Sequence, residues 1–332
     1  MTTQRGDTTL TALGTDRPEL SFVIPAHNEE GNILETLKRV SAKAQELVTT
    51  AEIIVVDDGS ADETVAKVKS ADVPTPVVLL RLSRNFGKEQ AIMAGLERAT
   101  GQAVVILDAD LQEPLRYVDT MMEHYRDGYE MVYAVRENRE DESFAKRNLT
   151  KAFYRMMSVG SKFTVPEDAR DFRLMDRAVV EALLDLPERN RFMKGLYGWV
   201  GFRSIAIPVV LEKRKEGETK FGFRGLFSHA FTGLTSFTSW PLRVWTLIGG
   251  ILALFSILYA VWITIRTLIW GADVPGWSTL TVAVFFLGGI QLISIGVLGE
   301  YLGRIFTEVK GRPGYIVAEE ILAGDHEAAK DA

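Results

Sequence analysis

The chain has no cysteine. That excludes disulfides and thiolate-held metal sites, and it suits a catalytic domain in a reducing, cytosolic setting. It also has no glycine-rich phosphate loop: neither G-x-G-x-x-G nor G-x-x-x-x-G-K-[ST] occurs, which argues against a dehydrogenase or a P-loop ATPase. Positive charge is not in excess. Net charge is −6, from 38 Lys and Arg against 44 Asp and Glu, so wholesale binding to nucleic acid is not expected. The first residues, 1–18, are polar and lack the apolar core of a signal peptide; a loose tail is expected there, and again over Ala323–Ala332. No internal repeat or low-complexity tract is present.

What is present begins with alternation. Short β-type runs (Leu20–Ile24, Ile53–Val56, Val77–Leu80, Ala103–Leu107, Met131–Val135) are separated by helical patterns at about 32–48, 62–68, 88–99 and 115–126. In the first of these helices Ile33, Leu34, Leu37, Val40 and Leu47 share a face. Such alternation predicts an α/β domain with a mostly parallel sheet covered by helices. Residues 143–186 read as helical and mixed, Ile205–Leu211 as a strand, and 224–241 as an amphipathic helix suited to a membrane interface.

Two stretches, Val244–Ile265 and Thr279–Gly299, carry no charged residue. Crossing a hydrocarbon core of about 30 Å takes roughly 20 helical residues, so both are predicted spans, at about 244–266 and 278–300 within 242–303. Trp240, Trp245, Trp262, Trp270 and Trp277 fall at or near their ends, as an aromatic belt would. Arg224 and Arg243 precede the first span, and Arg304, Lys310 and Arg312 follow the second. The positive-inside rule then puts both termini in the cytoplasm, with 304–332 as a cytoplasmic tail.

In an open α/β sheet, ligands bind beyond the carboxyl ends of the strands. Here those ends are acidic: Pro25-Ala26-His27-Asn28-Glu29-Glu30, then Asp57-Asp58-Gly59-Ser60, then Asp108-Ala109-Asp110-Leu111-Gln112. One such Asp is ordinarily a helix cap, and Asp62 reads as one. Three acidic ends on one rim need a cation or a hydrogen-bonding ligand. Asp108 and Asp110 are two apart and project to one side of an extended chain; all-oxygen ligands suit Mg²⁺ or Mn²⁺ bridging a diphosphate. Arg147, Lys151 and Arg155 form a basic stripe on a helix face that could meet a lipid phosphate.

These motifs resemble those of inverting family 2 glycosyltransferases of GT-A fold, with a Rossmann-like, mostly parallel sheet at residues 19–223. Leu82-Ser83-Arg84-Asn85-Phe86-Gly87-Lys88-Glu89, Asp171-Phe172-Arg173-Leu174-Met175 and Pro187-Glu188-Arg189-Asn190-Arg191-Phe192, with the two-span tail, resemble the polyprenyl-phosphate glycosyltransferases more narrowly. GtrB-type bactoprenol glucosyltransferases are the nearest likeness; dolichyl-phosphate mannose synthases are related. The resemblance implies that Pro25, His27, Glu29, Asp57 and Asp58 hold the nucleotide, with Asp108, Ala109, Arg136, Lys194, Arg214 and Lys220 also at the nucleotide sugar. It implies Asp108, Asp110 and Gln112 at the metal, Asp110 and Asp171 in catalysis, and Arg147 and Arg173 at the acceptor phosphate. The family often has Tyr where His27 stands, and glycine where Arg170 stands.

The resemblance further implies transfer of a hexose, foremost glucose from UDP-glucose, to undecaprenyl or another polyprenyl phosphate by a membrane-bound homotetramer. A mannose- or aminoarabinose-type donor is the alternative. A processive polysaccharide synthase would need a Gln-x-x-Arg-Trp motif, which is lacking. A non-catalytic nucleotide-sugar scaffold would be expected to have lost Asp108, Asp110, Arg214 or Lys220, and all four are present.

Overall fold

The computed structural model describes residues 17–110, 112–137, 169–188, 191–210, 240–270 and 276–323. Eight strands form one sheet in the order β7-β5-β6-β4-β1-β2-β3-β8. They are β1 (Leu20–Ala26), β2 (Ala51–Asp57), β3 (Val77–Leu82), β4 (Ala103–Ile106), β5 (Met131–Arg136), β6 (Ala169–Asp176), β7 (Ser204–Val209) and β8 (Val317–Leu322). The helices are α1 (Ile33–Leu47), α2 (Thr64–Lys69), α3 (Lys88–Arg98), α4 (Tyr117–Arg126), α5 (Arg177–Leu184), α6 (Met193–Trp199), α7 (Trp240–Trp270) and α8 (Trp277–Val309).

The centre is parallel, as the alternation predicts: β1 pairs with β2 and β4, and β2 with β3, all in the same direction. Every residue of β1 is buried, which is why it reads as an unbroken apolar run rather than an alternating one. Successive side chains still go to opposite faces. Phe22 and Ile24 join Leu37, Val40, Val118 and Met121 in one core layer. Val23 joins Ile92, Leu96, Val179 and Leu196 in the other.

Two strands depart from the sequence expectation. Residues 143–186 were expected to be helical and mixed, yet β6 occupies Ala169–Asp176 and runs antiparallel between β4 and β5. The expected C-terminal tail likewise contains β8, antiparallel to β3 at the sheet edge. Ser83 N–H donates to the Ile316 carbonyl at 2.9 Å and Ala323 N–H to Val77 at 2.8 Å, so the chain leaves the sheet after β7 and returns to it after α8. The helix expected at 224–241 lies almost wholly outside the described residues.

Both expected spans fall in long helices, the first in α7 and the second in α8. The two helices contact one another and expose large apolar side chains, among them Leu254, Phe255, Leu258, Leu292 and Ile293. Among the described residues, one stretch, Phe286–Val309, is long and apolar enough to cross a membrane.

Candidate active site

Parallel pairing brings the carboxyl ends of β1, β2, β3 and β4 to one rim of the sheet. Antiparallel β6 begins at that rim. Its register sets Arg173 opposite Ile106; carried two residues past β4, the same register sets Asp171 opposite Asp108. Lys88, the first residue of α3, lies between them. Its Nζ is 2.6 Å from Asp108 Oδ1 and 2.9 Å from Oδ2, and 2.7 Å from Asp171 Oδ2. Gly87 directs Lys88 there: its φ of 97° is backbone that side chains other than hydrogen rarely adopt.

This ammonium sets the charge of the site. Burial alone would raise the Asp171 carboxyl, but Lys88 and then Lys194 outweigh it and hold Asp171 far below the usual carboxylate range. Desolvation works against the charge on Lys88, and Asp108 and Asp171 more than restore it, raising Lys88 above the ordinary lysine value. Burial lowers Lys194, with Asp171 opposing. Burial also pushes neighbouring Glu89 up to about 7, against an amide N–H from Met193.

One carboxylate oxygen each from Asp108, Asp110 and Glu113 lie within 4.8 Å of one another. Asp110 Oδ1 accepts the Gln112 amide N–H at 3.1 Å. Glu113 is 3% exposed. Its Oε1 takes both Nε (2.9 Å) and Nη2 (2.7 Å) of Arg170, while its Oε2 is buried with no hydrogen-bond partner among the described residues. Burial, and then Asp108, raise the Glu113 carboxyl, with Arg170 opposing. Converging hard oxygen donors with an unpaired buried oxygen fit a Mg²⁺- or Mn²⁺-type ion.

The ends of β1 and β2 build the adjoining wall. Pro25 falls past the last β1–β4 pair, Val23 with Ile106, so its missing N–H costs no ladder bond on that side. His27 Nδ1 is 2.9 Å from the Asp58 carbonyl. Asp58 is buried, and its two oxygens accept the amide N–H groups of Phe86 (2.7 Å) and Gly87 (2.9 Å). Asp57 is fully buried beside the Ser60 amide. A Cβ on Gly59 would stand 2.6 Å from the Arg84–Asn85 backbone, so the Asp57-Asp58-Gly59 turn needs glycine to let the loop before α3 approach. Glu29 accepts from the Asn32 side chain at 2.9 Å. Ala109 is buried, its carbonyl accepting from Thr36 Oγ1 at 2.7 Å.

Arg136 closes β5 on the same rim. Arg173, expected at the acceptor phosphate, is 2% exposed. Its guanidinium stacks 3.3 Å from the Tyr197 ring centroid and donates to the Arg170 carbonyl at 2.6 Å, so protein groups take its hydrogen bonds and burial lowers it from the ordinary arginine value. Arg147, Arg214 and Lys220 lie outside the described residues. Sequence reasoning assigned no role to Lys88, Glu89 or Glu113. The first two stand in the Phe86-Gly87-Lys88-Glu89 motif, and Glu113 directly follows Gln112, so position alone could have flagged them.

Residues 21–184 match the family model Glycosyl transferase family 2, and residues 240–305 match the GtrB C-terminal hairpin. The chain is 44% identical over 302 residues to an uncharacterized glycosyltransferase from Synechocystis sp., covering 91% of this chain and 95% of that one. It belongs to glycosyl transferase family 2. This glycosyltransferase is also 43% identical over 300 residues to the SfII prophage-derived bactoprenol glucosyl transferase of Shigella flexneri, covering 90% of this chain and 97% of that protein. Among solved structures it is similar to glucosyl-3-phosphoglycerate synthase from Mycobacterium tuberculosis, 18% identical, with 66% of this chain and 78% of that one covered and a TM-score of 0.42.

Proposed function

We propose that this glycosyltransferase moves glucose from UDP-glucose to undecaprenyl phosphate at the cytoplasmic membrane face, with inversion at the anomeric carbon. The observation that carries the reading is the Lys88 bridge. It joins Asp108, which this reading assigns to the donor diphosphate, and Asp171, which it assigns to orienting the acceptor, to one ammonium at 2.6 and 2.7 Å, which supports a donor and an acceptor meeting within a side chain's reach. The hairpin match over residues 240–305 and the bactoprenol glucosyl transferase relatives support a lipid acceptor. Multi-pass insertion with both termini cytoplasmic, and a homotetramer, belong to the same reading.

The acceptor would be a phosphate monoester, whose second pKa is about 6 if it behaves like phosphorylated side chains, so it arrives largely deprotonated. Its oxygen attacks the anomeric carbon in line. The bond from that carbon to the nucleotide's β-phosphate oxygen breaks, and the electron pair leaves with the diphosphate. No proton need be removed. A carboxylate held far below its usual range is a weak base, which suits Asp171 to orienting groups rather than taking a proton. Lys88, Lys194 and Arg170 supply the positive charge that lets two phosphates meet beside it. Asp108, Asp110 and Gln112 would hold a divalent cation, which supplies neutralisation of the leaving diphosphate. His27, Glu29, Asp57 and Asp58 are assigned to the nucleotide, through the loop they shape as much as by direct contact.

The test is the full-length enzyme in nanodiscs with undecaprenyl phosphate and a panel of UDP- and GDP-sugars, read by mass spectrometry of the lipid. Glucosyl-lipid formed from UDP-glucose is expected. Donor binding with no lipid product, or preference for another sugar, overturns the assignment.

A further inference from the structure

Three neighbouring acidic residues do not by themselves make a ligand site; what singles out Glu113 is the unequal treatment of its two oxygens. Oε1 receives both Arg170 nitrogens, at 2.9 and 2.7 Å. An arginine that bracketed the carboxylate would engage both oxygens. This one leaves Oε2 buried and unpaired among the described residues, in a residue 3% exposed. A buried carboxylate oxygen that has lost water and gained nothing is costly, and the carboxyl group it belongs to converges with those of Asp108 and Asp110, one oxygen of each lying within 4.8 Å of the others. Lys88 at Asp108 and Arg170 at Glu113 offset part of the negative charge gathered there, and a divalent cation among the three carboxylates would offset the rest.

Local sequence fixes this geometry. Pro114 follows Glu113 and restricts its backbone away from the helical region, so the residue stays on the loop instead of turning into α4. Arg170 lies on β6, one residue before Asp171. Consecutive strand residues project to opposite faces, so Asp171 meets Lys88 while Arg170 reaches the Asp108–Glu113 loop.

We propose that Glu113 is a third carboxylate ligand of the divalent-cation site, and that Arg170 is the residue that positions it. Arg170 fixes one oxygen and thereby aims the other, as partners behind metal ligands commonly do. The inference rests on the reading above only in that the site takes a divalent cation; it does not depend on which sugar or lipid is used.

The experiment titrates the full-length enzyme with Mn²⁺ alone, without nucleotide or lipid, and counts free Mn²⁺ by electron paramagnetic resonance. The wild type is expected to bind Mn²⁺, and Glu113→Gln to bind it about tenfold or more weakly. Equal affinity overturns the ligand assignment, and so does a wild type that binds no Mn²⁺. If Glu113→Gln does not fold, Glu113→Asp replaces it: the charge stays but the carboxylate withdraws by one methylene. Weaker binding then supports ligation and unchanged binding overturns it. Arg170→Met separates positioning from simple charge. Removing a cation beside the site should tighten Mn²⁺ on charge alone, whereas loss of positioning weakens it; equal or tighter binding overturns the positioning role. Normal Mn²⁺ behaviour across this set with no transfer to undecaprenyl phosphate would overturn the proposed substrates and leave this inference standing.

Discussion

Without Lys88, Asp108 and Asp171 would face each other as like charges, since the β4–β6 register sets them opposite. Lys88→Met removes the shared ammonium while keeping most of its stem. Transfer activity is expected to fall by about 10²–10³-fold, the usual effect of losing one charge-stabilising donor at a reacting centre, while circular dichroism stays unchanged. Activity indistinguishable from wild type would remove Lys88 from the machinery. Glu89 acts on stability instead. Its carboxyl is pushed from 4.5 to about 7 by burial, so the folded chain binds the extra proton. That contribution is fully present below about 4.5 and lost as pH rises through about 7, a span worth at most about 3 kcal/mol. The wild type should therefore lose thermal stability relative to Glu89→Gln as pH rises across this window, and parallel pH profiles would contradict it. Asp171, held low, contributes in the opposite sense, stabilising above its unfolded value and losing that only in stronger acid, so the two effects do not overlap. The sequence showed which acidic residues crowd the rim. It did not show that both oxygens of Asp58 go to backbone amides of the loop before α3, because that bond joins two strand ends whose approach only the sheet order dictates.

At the scale of elements, the central strands were legible because burial on both faces makes them apolar runs. Strand β6 was not, since Arg170, Asp171, Arg173 and Asp176 break any apolar pattern; all four charges have protein partners. Strand β8 was obscured in the same way by Glu319 and Glu320, which pair with Lys69 at 3.2 Å and Arg98 at 2.5 Å. Exposed pairs of this kind contribute about 0–1 kcal/mol each, so the strand is held mainly by its ladder to β3. Cutting the chain after β7 would remove the hairpin and β8 together and leave β3 as an open edge. A version with residues 240–313 replaced by a flexible linker, retaining β8, should show a higher Tm and less aggregation by size exclusion than the simple truncation. Equal behaviour would mean that β8 adds nothing to the domain.

Taken whole, the molecule is a GT-A sheet interrupted near its end by a helical hairpin. Alternation was enough for the mostly parallel α/β sheet and two uncharged runs for the two long helices, because both signals are local, while GT-A rested on the resemblance of the acidic strand-end motifs. The closing strand was not visible, because nothing near Val317 in the chain says that it belongs beside Leu82. Tyr315, just before it, bonds to Glu97 of α3, the helix whose first residue is Lys88. The order of synthesis follows from this connectivity. While the chain is being made, Leu82 has no edge partner until Val317 emerges, and by then both apolar helices have already left the ribosome. The enzyme therefore completes its sheet only after both long helices have been made, so the edge of β3 is the last part of the catalytic half to find its partner.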